Sequence, residues 1–409
     1  MRRVVVTGMA GITSLGDSWA RISDGLRKNT SGIRRMPEWD RFADLNTRLG
    51  GPVPDFVPPP HYTRKVTRTM GRVALMATCA TERALSDAGL LDQPMIQDGR
   101  MGIAYGSCSG STDAIRDFGT LLMTGSGGKI NATTYLRMMA HTAAVNIGLR
   151  FGIKGRVIPT TSACTSGSQG VGYAYESIKF GKQKLMVAGG AEELCASQAA
   201  VFDTLFATSL KNDAPTTTPA PFDAKRDGLV LGEGACTLIL EDYEHAQARG
   251  APMYAEIVGY GANSDGDHAV HPNTQTMETA MRLALDDAGL PPESIGYVCA
   301  HGTATEQGDI AESQATGRLF GTRMPISSLK GHFGHTLGAC GALESWLSIE
   351  MMRHDWFAPT LNLNTLDPRC GELDYLHNGG RALQCEHVMN NNFAFGGINT
   401  SLIFRRLAK

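Results

Sequence analysis

The stretch Val157-Ile158-Pro159-Thr160-Thr161-Ser162-Ala163-Cys164-Thr165-Ser166-Gly167-Ser168-Gln169-Gly170 reads as a short apolar strand, a tight turn of small residues, and a helix that opens just after a cysteine. A thiol at a helix N-terminus faces unpaired backbone N–H groups and the positive end of the helix dipole. That placement predicts a favoured thiolate on Cys164. The Cys164 N–H is also placed to bind an oxyanion, as in nucleophile elbows. The small neighbours leave room for a substrate. Partners for the thiol occur much later in the chain. His301-Gly302-Thr303-Ala304-Thr305 follows the apolar run Ile295–Ala300, and Ser327-Ser328-Leu329-Lys330-Gly331-His332-Phe333-Gly334-His335 follows a third run. Near the C-terminus stands Asn391-Asn392-Phe393-Ala394-Phe395-Gly396-Gly397-Ile398-Asn399. Each places polar or small residues where a strand should end, the usual place for ligands on open α/β sheets. One thiol, several histidines, one lysine and a glycine turn point to acyl transfer through a thioester.

The remainder of the 409 residues fits such an enzyme. Hydrophobic content of 42% with 48 glycines suits an α/β protein with many tight turns, and a net charge of −2 argues against non-specific nucleic-acid binding. The nine cysteines are scattered without CxxC spacing, so neither a zinc site nor a disulfide framework is indicated. A reducing cytoplasmic compartment is expected. Val4-Val5-Val6 is cut short by Thr7-Gly8, which predicts a buried first strand rather than a signal peptide. No apolar run is long enough to span a membrane.

The chain contains a duplication. Ala84-Leu85-Ser86-Asp87-Ala88-Gly89-Leu90 returns as Ala284-Leu285-Asp286-Asp287-Ala288-Gly289-Leu290. In both places a helical pattern precedes a glycine stop, and a short apolar strand follows. More weakly, Val157–Ser162 before Cys164 parallels Met324–Ser328 before Lys330. Two βα halves are therefore expected, 1–250 and 251–409, with the joint in the polar segment 241–251. The Pro/Thr-rich stretch 213–221 reads as a surface loop.

These segments resemble the β-ketoacyl-[acyl-carrier-protein] synthases, the KAS I/II-type condensing enzymes of the thiolase superfamily. The resemblance begins at Arg3–Ala10, takes in Pro221-Phe222-Asp223-Ala224-Lys225-Arg226-Asp227-Gly228-Leu229-Val230-Leu231-Gly232-Glu233-Gly234, and ends at Thr400–Phe404. It implies the thiolase fold: α/β, five layers in the order αβαβα, with two pseudo-twofold-related halves. It also implies decarboxylating condensation of an acyl group on Cys164 with a malonyl unit on acyl carrier protein. His301 and His335 match the family's catalytic histidines, which would steady the enolate with neutral imidazole N–H groups. Lys330 matches the family's lysine and would orient His301, its charge balanced by Asp309 or Glu312. Thr303 and Thr305 match positions that bind the pantetheine arm. Phe395, with Gly396 and Gly397, matches a gate whose backbone N–H would complete the oxyanion hole. Cys108, beside Ser109, and Phe202 fall where the family tunes its acyl pocket. His332 is read as non-catalytic, and no metal site is expected.

Arg64, Lys65, Arg68 and Arg72 form a basic cluster at near-helical spacing, a candidate docking site for an acidic carrier; a solvated helix face accounts for it equally well. The family implies a homodimer, and a heterodimer with a related subunit is the variant of that expectation. No cofactor is implied beyond the phosphopantetheine that the carrier brings. The family usually has Gly where Ala394 stands, which predicts a stiffer gate. Glu306-Gln307 and His268-Ala269-Val270-His271-Pro272 are also unusual for housekeeping members. Fatty-acid elongation is the first reading. The alternative is a ketosynthase of a specialised polyketide or polyene pathway, paired with a chain-length-factor-like subunit. A degradative thiolase would need a second cysteine where Phe395 stands, a non-catalytic partner subunit would lack Cys164, and a cysteine hydrolase has no use for Lys330.

Overall fold

Val4, Val5 and Val6 open the first strand, β1 (Val4–Ile12), and are wholly buried. A computed structural model describes residues 1–128 and 130–407. Four more strands of the first half follow: β2 (Met101–Gly106), β3 (Val157–Thr160), β4 (Leu185–Glu192) and β5 (Gly234–Asp242). The second half contributes β6 (Ala255–Ser264), β7 (Ile295–Cys299), β8 (Pro325–Ser327), β9 (His387–Ala394) and β10 (Ile398–Arg405).

The two halves repeat one topology. From the middle outward the first runs β1, β5, β4, β2, β3, and the second runs β6, β10, β9, β7, β8, with the two-residue strand Asp374–Tyr375 added outside β8. In each, the first two pairings are antiparallel and the last two parallel. The arrays meet where Val4, Val5 and Val6 pair antiparallel with Ile257, Glu256 and Ala255.

Helices α1 (Arg72–Asp87) and α2 (Thr142–Phe151) cover the outside of the first array. Helix α3 (Ser166–Lys179) follows the nucleophile turn. In the second half α4 (Thr274–Ala288) lies on β6 and β10 with α5 (Glu306–Phe320) beside it, and α6 (Cys340–Arg353) follows His335. Helix α3 packs on β4 and β2 and also reaches β10, while α6 packs on β9 and also on β5 and β4. These two helices form the middle of the five-layered αβαβα arrangement. A helix between two sheets must be apolar all round, and every residue of α6 from Cys340 to Met352 is buried.

The repeated Ala-Leu-x-Asp-Ala-Gly-Leu phrase ends α1 and α4 in the same way. Gly89 and Gly289 take left-handed φ values of +66° and +65°, and the next N–H turns back to the Leu85 or Leu285 carbonyl. The duplication read from the sequence is thus a duplication of structure. The segment read as the joint holds the end of β5 and a short helix, Tyr243–Ala248. The proline-rich stretch is exposed only in part, because Thr218–Pro221 is buried.

Helices α3 and α6 cross at backbone distance. A Cβ on Gly167 would lie 2.8 Å from the Gly338 oxygen, and one on Gly341 would lie 2.6 Å from the Ser168 nitrogen. Gly167→Val therefore cannot fit without prising the helices apart. It is expected to destabilise the protein by about 1–3 kcal/mol, read as a lowered Tm together with loss of Cys164 acylation.

Candidate active site

Cys164 sits in a 3-10 turn, Ala163–Thr165, immediately before α3. The turn is pinned by its hydroxyls: Ser166 Oγ donates to the Ala163 carbonyl at 2.7 Å and accepts from the Ser162 N–H at 2.9 Å. Ala163 is held at φ +50°, a strained value for a residue with a Cβ. This bend turns the cysteine away from its strand. The backbone N–H groups of Phe395 and of Cys164 itself point at the sulfur. Two donors from different halves of the chain therefore converge where an oxyanion hole requires them.

His335 Nε2 lies 3.0 Å from Cys164 Sγ, and the Leu337 N–H donates to its Nδ1 at 3.3 Å. Leu337, at φ +47°, bends the backbone to make that contact. An occupied Nδ1 acceptor places the ring proton on Nε2, facing the sulfur. The His301 ring stands edge-on to His335 with centroids 5.1 Å apart. Lys330 Nζ lies 3.3 Å from His301 Nδ1. An ammonium only donates, so His301 also carries its proton on Nε2. Burial holds both imidazoles far below the ordinary histidine pKa, and the Lys330 charge adds to the effect. Both rings are neutral donors.

The counter-charge to Lys330 differs from the sequence expectation. Neither Asp309 nor Glu312 supplies it. Lys330 Nζ pairs with Glu344 Oε1 at 2.5 Å, and both side chains are fully buried. Burial alone would strip the lysine of its proton, but the Glu344 carboxylate more than offsets this and raises its pKa. Asn392 Nδ2 donates to the other Glu344 oxygen at 2.6 Å. Glu312 instead accepts the N–H groups of His301 and Gly302, both at 2.7 Å, and burial pushes its carboxyl up to about 8. Asp309 accepts from Phe222 N at 2.7 Å and Ala304 N at 3.1 Å, with the buried Arg226 beside it at 3.4 Å. Sequence reasoning missed Glu344, Asn392 and Arg226. A Glu early in the otherwise apolar and small-residue run of α6 was the available signal for the first.

A cavity of ≈ 440 Å³ reaches Cys164, His301 and His335 past Thr303, Thr305, Phe202 and Phe395. Thr303 and Thr305 share a hydroxyl hydrogen bond of 2.9 Å. The Phe202 and Phe395 rings meet edge-on, 6.2 Å apart. The Phe395 turn is tied to the unusual histidine segment, since Gly396 N donates to the Ala269 carbonyl at 2.8 Å and Asp265 N donates to the Gly397 carbonyl at 2.7 Å. Ala394 is the last residue of β9, paired with Ile398. Cys108 donates its Sγ–H to the Ala163 carbonyl at 3.2 Å and, like Phe202, packs against the apolar cluster that holds Met36, Leu229 and Leu337.

Matches to known proteins fall on the same residues. The beta-ketoacyl synthase N-terminal domain model matches residues 1–246, and the C-terminal domain model matches 254–364. The chain belongs to the beta-ketoacyl synthase family. It is 36% identical to the 3-oxoacyl-[acyl-carrier-protein] synthase 1 of Haemophilus influenzae, with 99% of each chain covered. A crystal structure of a beta-ketoacyl synthase from Burkholderia phymatum superposes with a TM-score of 0.99 at 60% identity over the whole of both chains. The ishigamide ketosynthase/chain length factor aligns at 0.91 and 31% identity, again over both full chains.

In this synthase the outlying sequence candidates part company. Arg64, Lys65 and Arg68 are exposed. Arg72 is not free to dock a carrier, because it binds Glu233 at 2.7 Å and the Val53 carbonyl. His332 is buried between the Thr30 and Pro359 carbonyls and faces away from the site. Among the described residues, His301, Cys340 and Glu344 are close enough to share an ion, but the Lys330 ammonium already stands between His301 and Glu344. No helix among the described residues is long and apolar enough to cross a membrane.

The thiol corrects a further expectation. Burial pushes Cys164 up to about 11, although the Phe395 N–H and the Lys330 charge pull the other way. Below that pKa each pH unit raises the thiolate fraction about tenfold, so iodoacetamide labelling of Cys164, followed peptide by peptide, should climb steeply from pH 7 to 9. A plateau near neutrality would contradict the raised value. Glu344→Gln leaves Lys330 buried without a counter-charge. A loss of about 3–5 kcal/mol in denaturant unfolding is expected.

Proposed function

We propose that this synthase joins an acyl group to a malonyl unit with loss of CO2, lengthening fatty acyl chains held on acyl carrier protein. The observation that carries this reading is the pair of neutral imidazoles, one 3.0 Å from the Cys164 sulfur, beside two backbone N–H groups aimed at the same atom. In the first half-reaction Cys164 Sγ attacks the acyl thioester carbonyl. The carbonyl oxygen takes up charge under the Cys164 and Phe395 N–H groups. The C–S bond to pantetheine breaks, and the thiol proton leaves with the pantetheine sulfur. In the second, a malonyl thioester occupies the vacated cavity. Its C–C bond to the carboxylate breaks, CO2 departs, and the electron pair forms an enolate whose oxygen accepts from His301 and His335 Nε2–H. The enolate carbon attacks the acyl carbonyl, and the Cys164 sulfur leaves and recovers a proton from solvent. Neutral imidazoles suit this role because the step needs charge stabilisation rather than a strong base. Neither half-reaction calls for a metal or organic cofactor beyond the arm of the carrier.

The chain is proposed to act as a dimer. Among the described residues the outer edge of β3 has no partner strand, with Val157 43% exposed and nearby Leu149 67% exposed. An apolar edge of that kind invites a second strand. Similarity to a ketosynthase that works with a chain length factor keeps a specialised polyene or polyketide role as the second reading, with a related subunit on that edge.

Mixing the protein with acyl- and malonyl-acyl carrier protein tests the reading. Intact-mass spectrometry should show an acyl adduct on wild type and none on Cys164→Ala. Cys164→Gln should retain malonyl decarboxylation. His335→Ala should still acylate but condense about 10²–10³-fold more slowly. Near wild-type condensation by that variant would overturn its assignment.

A further inference from the structure

By residue type, Cys164, His301 and His335 are a zinc ligand set. One ligand atom of each lies within 4.8 Å of the other two, and all three side chains are buried. Zinc readily takes one thiolate and two imidazoles, with a fourth position left open. The spacing is already short, since His335 Nε2 lies 3.0 Å from Cys164 Sγ. A cation held there would occupy the sulfur lone pairs that attack the thioester, so binding would be inhibitory.

The far nitrogens of the two rings oppose it. An imidazole ligates through a nitrogen lone pair, so its proton must sit on the other nitrogen. That N–H then needs an acceptor, such as a carboxylate, a carbonyl or water. Here both Nδ1 atoms face donors instead. Lys330 Nζ lies 3.3 Å from His301 Nδ1, and Asn392 Nδ2 lies 3.5 Å from it. The Asn392 amide also donates to Glu344 Oε2 at 2.6 Å, which fixes its orientation. The Leu337 N–H approaches His335 Nδ1 at 3.3 Å. Both rings therefore keep their lone pair on Nδ1 and their proton on Nε2. The centre presents two N–H groups, with an ammonium behind one of them. Such a centre suits an oxyanion and opposes a cation.

We infer that Lys330, with Asn392 and the Leu337 N–H, bars zinc and similar thiophilic cations from the Cys164–His301–His335 trio by locking both histidines in the non-ligating tautomer. The inference concerns the resting protein and does not depend on which acyl group it carries. The acceptor that a metal site requires stands just behind the ammonium. Lys330 Nζ touches His301 Nδ1 on one side and Glu344 Oε1 on the other, and His301 and Glu344 have ligand atoms within 4.8 Å. Without the ammonium, residue 344 can accept an Nδ1–H from His301, the arrangement that supports zinc-bound histidines.

The variant Lys330→Met/Glu344→Gln tests this. It removes both members of the buried ion pair, so no charge is left unpaired, and keeps an amide oxygen to accept the Nδ1–H. Chelator-treated wild type and variant are titrated with Zn2+ by calorimetry and with Co2+ by the thiolate-to-cobalt absorption band. The variant should bind Zn2+ ~10–100-fold more tightly than wild type and develop the band, and adding Cys164→Ala should abolish it. Equal affinity in wild type and variant overturns the inference, as does a band that survives Cys164→Ala. A wild-type measurement decides the matter even if the variant does not fold. Equimolar Zn2+ should leave the rate of iodoacetamide labelling at Cys164 unchanged, and protection of that residue overturns the inference.

Discussion

The site depends on one close approach. Helices α3 and α6 come from opposite halves of the chain and cross where Gly167 and Gly341 lack side chains. Each helix begins just after a reactive residue, Cys164 for α3 and His335 for α6. Bringing their first turns to backbone contact therefore brings the sulfur within 3.0 Å of the imidazole. A single methyl group at the crossing would forbid that distance. The duplicated topology supplies the geometry, since equivalent helices from two equivalent halves meet between the sheets. Residues 171 apart become neighbours because each lies in the connection between a strand and the middle-layer helix that follows it.

Burial then sets the chemistry. A site between two sheets is dry, so every charge in it needs a partner. Lys330 and Glu344 neutralise each other. The cation remains beside His301 Nδ1, where it fixes the ring proton on the other nitrogen. The same dryness keeps both imidazoles neutral and raises the Cys164 thiol, even with a helix terminus behind it. Desolvation of a fully buried sulfur outweighs the backbone N–H groups and the Lys330 charge that favour its thiolate.

Backbone strain gathers around this centre. Ala163, Leu337, Ala304 and Phe222 all hold positive φ values. Each is tied to a functional contact: Ala163 bends the nucleophile turn, and Leu337 offers its N–H to His335. Ala304 and Phe222 both donate to Asp309, which Arg226 and the surrounding loops hold in place. Strain persists at such positions only when the structure around it leaves no alternative.

The sequence by itself determined what local sterics and hydrogen bonding can decide. It announced a strand, a small-residue turn and a helix around Cys164. It showed a repeated helix ending at Gly89 and Gly289, and an inventory of two histidines and a lysine at strand ends. These features were legible because they depend on neighbours a few residues away. The tertiary structure decided which distant groups meet. Lys330 found Glu344 in the buried middle helix rather than the acids that follow His301, because α6 packs its first turns against the lysine while Asp309 and Glu312 turn to backbone N–H groups. Arg72 was lost to Glu233 for the same reason. The protonation state of Cys164 lay furthest out of reach, since desolvation sums contributions from every element that encloses the sulfur.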